Sequence, residues 1–203
     1  MNWKLASAQI RIMKHYFIAS SLVFLVGLVL GAGFSDHFQS FLASQVQALQ
    51  EITKKIPDVP NQQWQLFWLI FWNNTSKSLL IIVLGVFFGV FPLFFLMANG
   101  MILGYIAVLS AQKASWLFVA KTILPHGIIE IPAVVIACAF GIRFGLLVIK
   151  TLFSMLSPAR SVKAFEELRT FMKSLVPVGL SLVLLLFVAA LIESTLTFWL
   201  AKA

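Results

Sequence analysis

The chain has 203 residues, of which 61% are hydrophobic and 11% are charged, and its formal net charge is +8. Soluble domains average roughly 45–50% apolar and about 25% charged residues, so this composition excludes a soluble protein and indicates an integral membrane protein. In such a protein, excess lysine and arginine is typical of cytoplasmic loops and lipid headgroup contacts rather than of nucleic-acid binding. Cys138 is the only cysteine, which excludes disulfides and cysteine-based zinc sites.

The apolar segments predict one membrane domain, an all-α polytopic bundle with about five transmembrane helices, since a span needs about 20 apolar residues. Residues 16–34 follow a basic start without a convincing cleavage site, so we interpret them as a retained first span. The uncharged stretch Ser78 to Gln112 is too long for one helix, and Pro92 or Asn99-Gly100 is where we expect it to break. The predicted spans are 16–34, 78–98, 100–112, 128–149 and 175–200, with 116–124 either re-entrant or interfacial.

The charges of the connecting segments predict an orientation. The N-terminus and the loop around 150–174 are basic and are expected in the cytoplasm, whereas the 35–62 loop is near neutral and is expected outside. An odd number of spans then places the C-terminus outside.

Two of these loops have the periodicity of amphipathic helices. In the outer loop, 35–62, the apolar residues Phe38, Phe41 and Leu49 recur at helical spacing, which predicts either a helix on the bilayer surface or a docking surface for an external partner. In the inner loop, 154–174, Ser157-Pro158 predicts a helix start. An apolar stripe opposite basic residues follows it and predicts an interfacial helix on anionic lipid.

Four G-x-x-x-G pairs predict close helix packing. Glycines at this spacing let helix backbones approach each other in lipid, where there is no hydrophobic drive for association. The pattern allows packing within one chain or a homodimer, and we favour packing within the chain. The pairs are Gly27/Gly31, Gly85/Gly89, Gly100/Gly104 and Gly141/Gly145.

Polar residues inside the spans predict a buried polar cluster. Glu130 and Glu193 fall in apolar segments, where an ionised carboxylate costs about 2.5–3.5 kcal/mol and is expected to face the bundle. A helix break at Pro125 would start a new helix with His126 and Glu130 on one face. Asn99 joins the others only if the 78–112 stretch is re-entrant. The predicted cluster consists of Asn73, Asn74, Asn99, His126, Glu130 and Glu193.

Three interpretations of this cluster remain open. It is a hydrogen-bonded network that fixes helix positions, a proton or solute pathway, or a divalent metal site. Imidazole and carboxylate ligands from His126, Glu130 and Glu193 would suit zinc. The H-E-x-x-H arrangement of metalloproteases is absent from the sequence, so that mechanism has no support.

Four segments together resemble the stage II sporulation protein M family of membrane proteins. They are FWNNTSKSL (71–79), GVFFGVFPLFFLMANGMILG (85–104), ILPHGIIEIPAVVIACAFG (123–141) and LFVAALIESTLT (186–197). The resemblance implies a bacterial membrane protein, located in the septal membrane during engulfment of the forespore. It also implies association with the peptidoglycan-degrading stage II sporulation proteins D and P.

These observations lead to the hypothesis of a non-enzymatic membrane scaffold that anchors wall-degrading partners at the septum, with Phe38, Phe41 and Leu49 as candidate docking residues. Two alternatives belong to other classes. One is a transporter or channel subunit, and the other is an intramembrane hydrolase that uses a metal-bound water at the His/Glu cluster.

Overall fold

The computed structural model describes residues 3–34, 38–54, 62–113 and 115–200, which form α-helices without any strand. Five of these helices contain segments long and apolar enough to cross a membrane: Lys14–Gly33, Gln63–Leu84, Val90–Lys113, Gly127–Ser154 and Arg160–Thr195. The predicted all-α polytopic bundle is therefore confirmed. The helices are α1 (Trp3–Ile12), α2 (Lys14–Gly33), α3 (Gln39–Lys54), α4 (Gln62–Leu84), α5 (Val90–Lys113), α6 (Trp116–Ser154) and α7 (Pro158–Leu200).

Helix α6 is the centre of the bundle. It contacts α2, α4, α5 and α7, and 61% of its candidate span is buried, compared with 33% or less for each of the others. Small side chains at Ala133, Ala137 and Cys138 are fully buried along it. Because these side chains are short, neighbouring helices can approach α6 from several directions.

Helices α2 and α5 run parallel and touch backbone to backbone. A Cβ on Gly27 would lie 2.5 Å from the Met97 carbonyl oxygen, and a Cβ on Gly100 would overlap the Phe24 carbonyl oxygen. Gly31 and Gly104 are equally close to the opposite backbone, one helical turn further along. The two G-x-x-x-G pairs therefore face each other within a single chain.

The helix break between the second and third spans lies at residues 85–89, the segment GVFFG. Our prediction of a break at Pro92 or Asn99-Gly100 is wrong, since both lie within α5. Pro92 is the third residue of α5, where a backbone N–H has no intrahelical acceptor to lose. At the break, Phe88 and Gly89 have φ values of 60° and 76°, which end α4 in left-handed backbone.

This shift moves two span boundaries. The second span is Gln63–Leu84, so the aromatic segment before residue 78 lies within it, and the third is Val90–Lys113. The turn between them packs on α6, because Gly85 and Gly89 lie against Gly141, Ile142 and Gly145. The pair Gly85/Gly89, which predicts helix packing, thus forms the turn between α4 and α5 as well as a contact with α6.

The predicted break at Pro125 is also wrong, and the continuous helix excludes a re-entrant turn at 116–124, whereas an interfacial position of that segment stays a prediction because the candidate span begins at Gly127. Helix α6 continues from Trp116 to Ser154 and contains Pro125 and Pro132. Prolines are tolerated in membrane helices because neighbouring groups and small backbone adjustments satisfy the carbonyls that they release. The side chains of residues 121–126 lie outside the described part of the structure.

The predicted inner interfacial helix is the first part of α7, which continues into the last span. As predicted, α7 begins at Pro158, and the Ser157 carbonyl accepts bonds from the N–H groups of Arg160 and Ser161 at 3.0 Å. This part of α7 packs on α1 and α6 and buries Ala164 and Phe171. Residues 158–174 are therefore continuous with the last span rather than a separate helix, and contact of the exposed Phe165 and Met172 with lipid stays a prediction.

The bundle has two chemically different ends. We call the end that carries α1 and the α6–α7 turn the α1 side, and the opposite end, which carries α3, the α3 side. Helices α2, α5 and α7 run from the α1 side to the α3 side, and α4 and α6 run back.

Candidate functional site

Contacts between helices fix the relative depths of the predicted polar residues. Phe187 of α7 packs edge-on against Phe67 and Phe71 of α4, with ring centroids 5.2 and 5.5 Å away. At the other end of α4, Gly85 packs on Gly141 of α6. With a rise of about 1.5 Å per residue, this register places Glu130 level with Asn74 and places Glu193 about 15 Å nearer the α3 side.

Asn99 and Glu130 line the same cavity, which lies between α2, α5 and α6. The cavity has a volume of 140 Å³, and apart from Gly127 its other lining residues are large and apolar: Phe24, Ile102, Leu103, Ile106, Ile131 and Val134. The Asn99 side-chain amide donates to the Phe95 carbonyl oxygen at 2.7 Å, which fixes the orientation of that side chain. The structure thus brings Asn99 to Glu130 even though α5 is a complete span rather than a re-entrant segment.

Asn73 and Asn74 form a separate polar pair on α4. The Asn73 amide donates to the Asn74 side-chain oxygen at 3.2 Å, and both side chains are half-buried. Neither lines the cavity that contains Glu130. Their pairing satisfies part of the polar surface that two consecutive asparagines bring into an apolar helix.

Glu193 lies close to the α3-side end of α7 and does not line that cavity. An axial separation of about 15 Å from Glu130 is far more than two ligands of one metal ion allow, because metal–oxygen bonds are about 2 Å long. Of the predicted cluster, Asn99 and Glu130 line one cavity and Asn73, Asn74 and Glu193 do not, so a single network of all these residues stays a prediction.

No group of three histidine, cysteine, aspartate or glutamate side chains able to hold a metal ion occurs among the residues that the structure describes. The His126 side chain lies outside those residues, so a metal site that uses it stays a prediction. The described part of the cavity offers one carboxylate and one carboxamide. Such a pair can bind a small cation or hold and release a proton next to apolar walls.

Arg143 forms a second site, on the α1 side, which our sequence interpretation missed. Its side chain is buried on α6 between the two glycines of the pair Gly141/Gly145. The guanidinium carbon lies 5.5 Å from the Phe171 ring centre and 6.0 Å from that of Tyr16, within the range of cation–π contacts.

A single carboxylate links Arg143 to the surface of the bundle. Glu167 lies 3.9 Å from the Arg143 guanidinium and also pairs with the ammonium group of Lys150. Helices α2, α6 and α7 all contribute side chains to this site, so it joins them at the level of the 85–89 turn. A signal for it was present in the sequence, because Arg143 is the one charged residue between Glu130 and Lys150.

The predicted outer amphipathic helix is α3, which packs against α5. Leu42 is fully buried, Phe41 is half-buried and Phe38 is 39% exposed. The side chain of Leu49, the third predicted docking residue, lies outside the described part of the structure. Leu42 therefore fixes α3 to the bundle while Phe38 remains available for contact.

Comparison with known proteins gives one family and one relative. Residues 20–198 match the stage II sporulation protein M family. An uncharacterised protein of Methanocaldococcus jannaschii is 27% identical over 192 residues, which cover 93% of this chain and 84% of that protein. No solved structure matches the chain significantly. Because the family match extends from the first candidate span to the last, the chain belongs to the stage II sporulation protein M family.

Proposed function

We propose that this protein is a non-enzymatic membrane scaffold that anchors peptidoglycan-degrading partners, stage II sporulation proteins D and P, at the septal membrane during engulfment. Family membership supports a role in sporulation. The observation that carries the scaffold role is the pair formed by α3, which Leu42 holds on the bundle, and Phe38, the exposed aromatic residue just before its first turn. A fixed helix beside an exposed aromatic residue is a suitable anchor for a partner, because aromatic residues are enriched at the cores of protein interfaces.

This proposal places the α3 side outside the cytoplasm. Basic residues concentrate at the other end, on α1, at the start of α2, at the end of α6 and on the first part of α7, which is the distribution expected for a cytoplasmic face. Those that are exposed there are Lys4, Arg11, Lys14, Lys150, Arg160, Lys163, Arg169 and Lys173.

Cysteine labelling tests this orientation. Gln45→Cys on α3 is expected to react with a membrane-impermeant maleimide in intact cells, whereas Lys163→Cys on α7 is expected to react only after permeabilisation. Both positions are exposed, and the native Cys138 is fully buried, so it contributes little background. The reverse labelling pattern would contradict a docking role of α3 outside the cell.

Co-isolation of a tagged partner tests the docking surface. Phe38→Ser is expected to reduce recovery of stage II sporulation protein P or D strongly, by roughly 30-fold in affinity if Phe38 is an interface anchor worth about 2 kcal/mol. Gln45→Ser, at an exposed position of α3, is the matched control and should leave recovery unchanged. Equal recovery with both variants would rule out Phe38 as the anchor.

The cavity lined by Asn99 and Glu130 supports a second candidate function, a transporter or channel subunit. A carboxylate facing an apolar intramembrane cavity is typical of ion and proton pathways. Flux in proteoliposomes should then be lost in Glu130→Gln and retained in Glu193→Gln, since Glu193 does not line the cavity. An intramembrane hydrolase would in addition require a bound metal, and activity of a metal-free preparation would exclude it.

A further inference from the structure

The outward surface of α4 carries polar groups at a depth where a helix surface usually meets lipid. Gln65, Trp68, Trp72 and Ser76 are exposed and recur every three or four residues, so they lie in one line along the helix. Lys77, the residue after Ser76, is also exposed. The half-buried Asn73 lies one helical turn before Lys77. We call Gln65, Trp68, Trp72, Asn73, Ser76 and Lys77 the α4 stripe.

An aromatic belt at the membrane interface does not account for this stripe. Trp72 is ten residues into α4, about 15 Å from its first residue, and would lie well below the headgroup region if Gln63–Leu84 is the membrane-crossing segment. The helix break lies at residues 85–89 rather than at Pro92 or Asn99-Gly100. The second candidate span therefore begins at residue 63 and includes Trp72. With this span in the membrane, the stripe would run from the interface toward the middle of the bilayer.

Lys77 is the most unusual member of the stripe. It lies seven residues, or about 10 Å, before the end of α4 at Leu84 and about 22 Å from the opposite end. The Cα–Cβ bond of a helical residue tilts toward the helix N-terminus, which for α4 directs Lys77 away from the nearer membrane surface. Among the described side chains, no carboxylate lies within salt-bridge distance of Lys77. A charged group at this depth that has no carboxylate partner among the described side chains is costly in lipid.

We propose that the α4 stripe binds a membrane-spanning helix of another protein, and that this helix carries a carboxylate at the depth of Lys77. Charge complementarity favours an acidic helix, since an ion pair removes the cost of exposing the ammonium group to hydrocarbon. The hydroxyl of Ser76 and the amide of Asn73 offer further interhelical hydrogen bonds, and the indole rings of Trp68 and Trp72 offer flat contact surfaces.

A second copy of this chain is a poorer occupant. A two-fold axis along the membrane normal brings equal depths together, so a dimer through the stripe would place Lys77 against Lys77 of the second copy. Like charges repel strongly in a medium of low dielectric constant. The stripe also lies on a different helix from the α3 surface and Phe38 just before it, so this inference and the proposed docking of wall-degrading partners succeed or fail in separate experiments.

The test measures binding of synthetic membrane-spanning peptides to the full-length protein in bilayers, by fluorescence energy transfer. Three leucine-rich peptides of about 20 residues differ only at the central position, which is glutamate, leucine or lysine. The glutamate peptide is expected to bind wild-type protein about tenfold more tightly than the leucine peptide, and the lysine peptide is expected to bind least.

Two substitutions at one position make the test specific. Lys77→Leu should abolish the preference for the glutamate peptide, and Lys77→Glu should transfer the preference to the lysine peptide. Because Lys77 is exposed, neither change removes a contact within the bundle, and an unchanged thermal transition verifies this. Val29→Ala, on the exposed face of α2, is the control and should leave all three affinities unchanged.

Several results would overturn the proposal. One is equal affinity of wild-type protein for the glutamate and leucine peptides, and another is a preference that persists in Lys77→Leu. A third is energy transfer between two labelled copies of the protein that disappears in Trp72→Leu, which would identify the stripe as a dimer surface.

Discussion

The two sides of the bundle are held together by different interactions. On the α1 side, the buried guanidinium of Arg143 gathers Tyr16, Phe171 and Glu167 from two neighbouring helices. Toward the α3 side, α2 and α5 meet through glycine backbones, while the carboxylate of Glu130 lines a cavity. On the α1 side a buried charge thus adds to the glycine contacts of the 85–89 turn, whereas α2 and α5 meet toward the α3 side through glycine backbone contact. Stability should accordingly depend most on the glycines, then on the Arg143 site, and least on the separated polar groups.

The largest effect is expected at Gly31. A Cβ at this position would overlap the Met101 backbone, which cannot move without separating α2 from α5, so Gly31→Ala should lower stability by about 3 kcal/mol or more. Gly33→Ala, two residues further along the same helix, is the matched control. It has nothing within 4 Å of the added carbon and should change stability by less than about 0.5 kcal/mol. Similar thermal transitions for the two variants in detergent would show that backbone contact does not hold α2 to α5.

An intermediate effect is expected at Glu167. Glu167→Leu leaves the buried Arg143 without its carboxylate, and we expect a loss of about 1–3 kcal/mol, less than for a fully buried pair because Glu167 is 39% exposed. Glu166→Leu, at the exposed neighbouring position, should cost less than about 0.5 kcal/mol.

A double variant shows whether the charge itself is responsible. Arg143→Met combined with Glu167→Leu replaces the pair by apolar groups of similar size and should recover most of the stability lost in Glu167→Leu alone. If the double variant is the less stable of the two in thermal unfolding, Arg143 acts through its packing rather than through its charge.

The smallest effect is expected for coupling between the two membrane glutamates. With an axial separation of about 15 Å, Glu130→Gln and Glu193→Gln should change stability additively, to within about 0.5 kcal/mol. A double-mutant cycle measures the difference directly. A coupling energy above about 1 kcal/mol would mean that the two carboxylates share a network, as our sequence interpretation predicted.

The sequence predicts the number of helices that cross the membrane better than it predicts where they end. Hydrophobic length and loop charge determine that number, and both are properties of whole segments. The break at residues 85–89 was missed because its glycines lie in an apolar run and have the spacing of a packing motif, whereas Pro92 and Pro125 look like stronger breakers. Their effect depends on position and surroundings: Pro92 lies in the first turn of α5, and Pro125 lies within a continuous helix.

The polar site was only partly predictable for a related reason. Sequence spacing indicates which residues share a helix face, but depth depends on the register between helices. That register is set by tertiary contacts such as Phe187 with Phe67 and Gly85 with Gly141. The span boundaries predicted from the sequence put Glu130 and Glu193 in the same half of the membrane. The register between the helices instead separates them by about 15 Å along the bundle axis.

The scaffold role is tested most directly by a chain whose candidate chemical groups have been neutralised. The variant His126→Gln/Glu130→Gln/Glu193→Gln would replace the resident family member in a spore-forming cell, and a fluorescent fusion would report where stage II sporulation protein P is located. We predict that the partner reaches the septum as with the wild-type chain, because a scaffold acts through helix surfaces that these substitutions leave intact. A dispersed partner, with the variant folded and inserted in the membrane, would contradict the scaffold role and would favour transport or catalysis at these side chains.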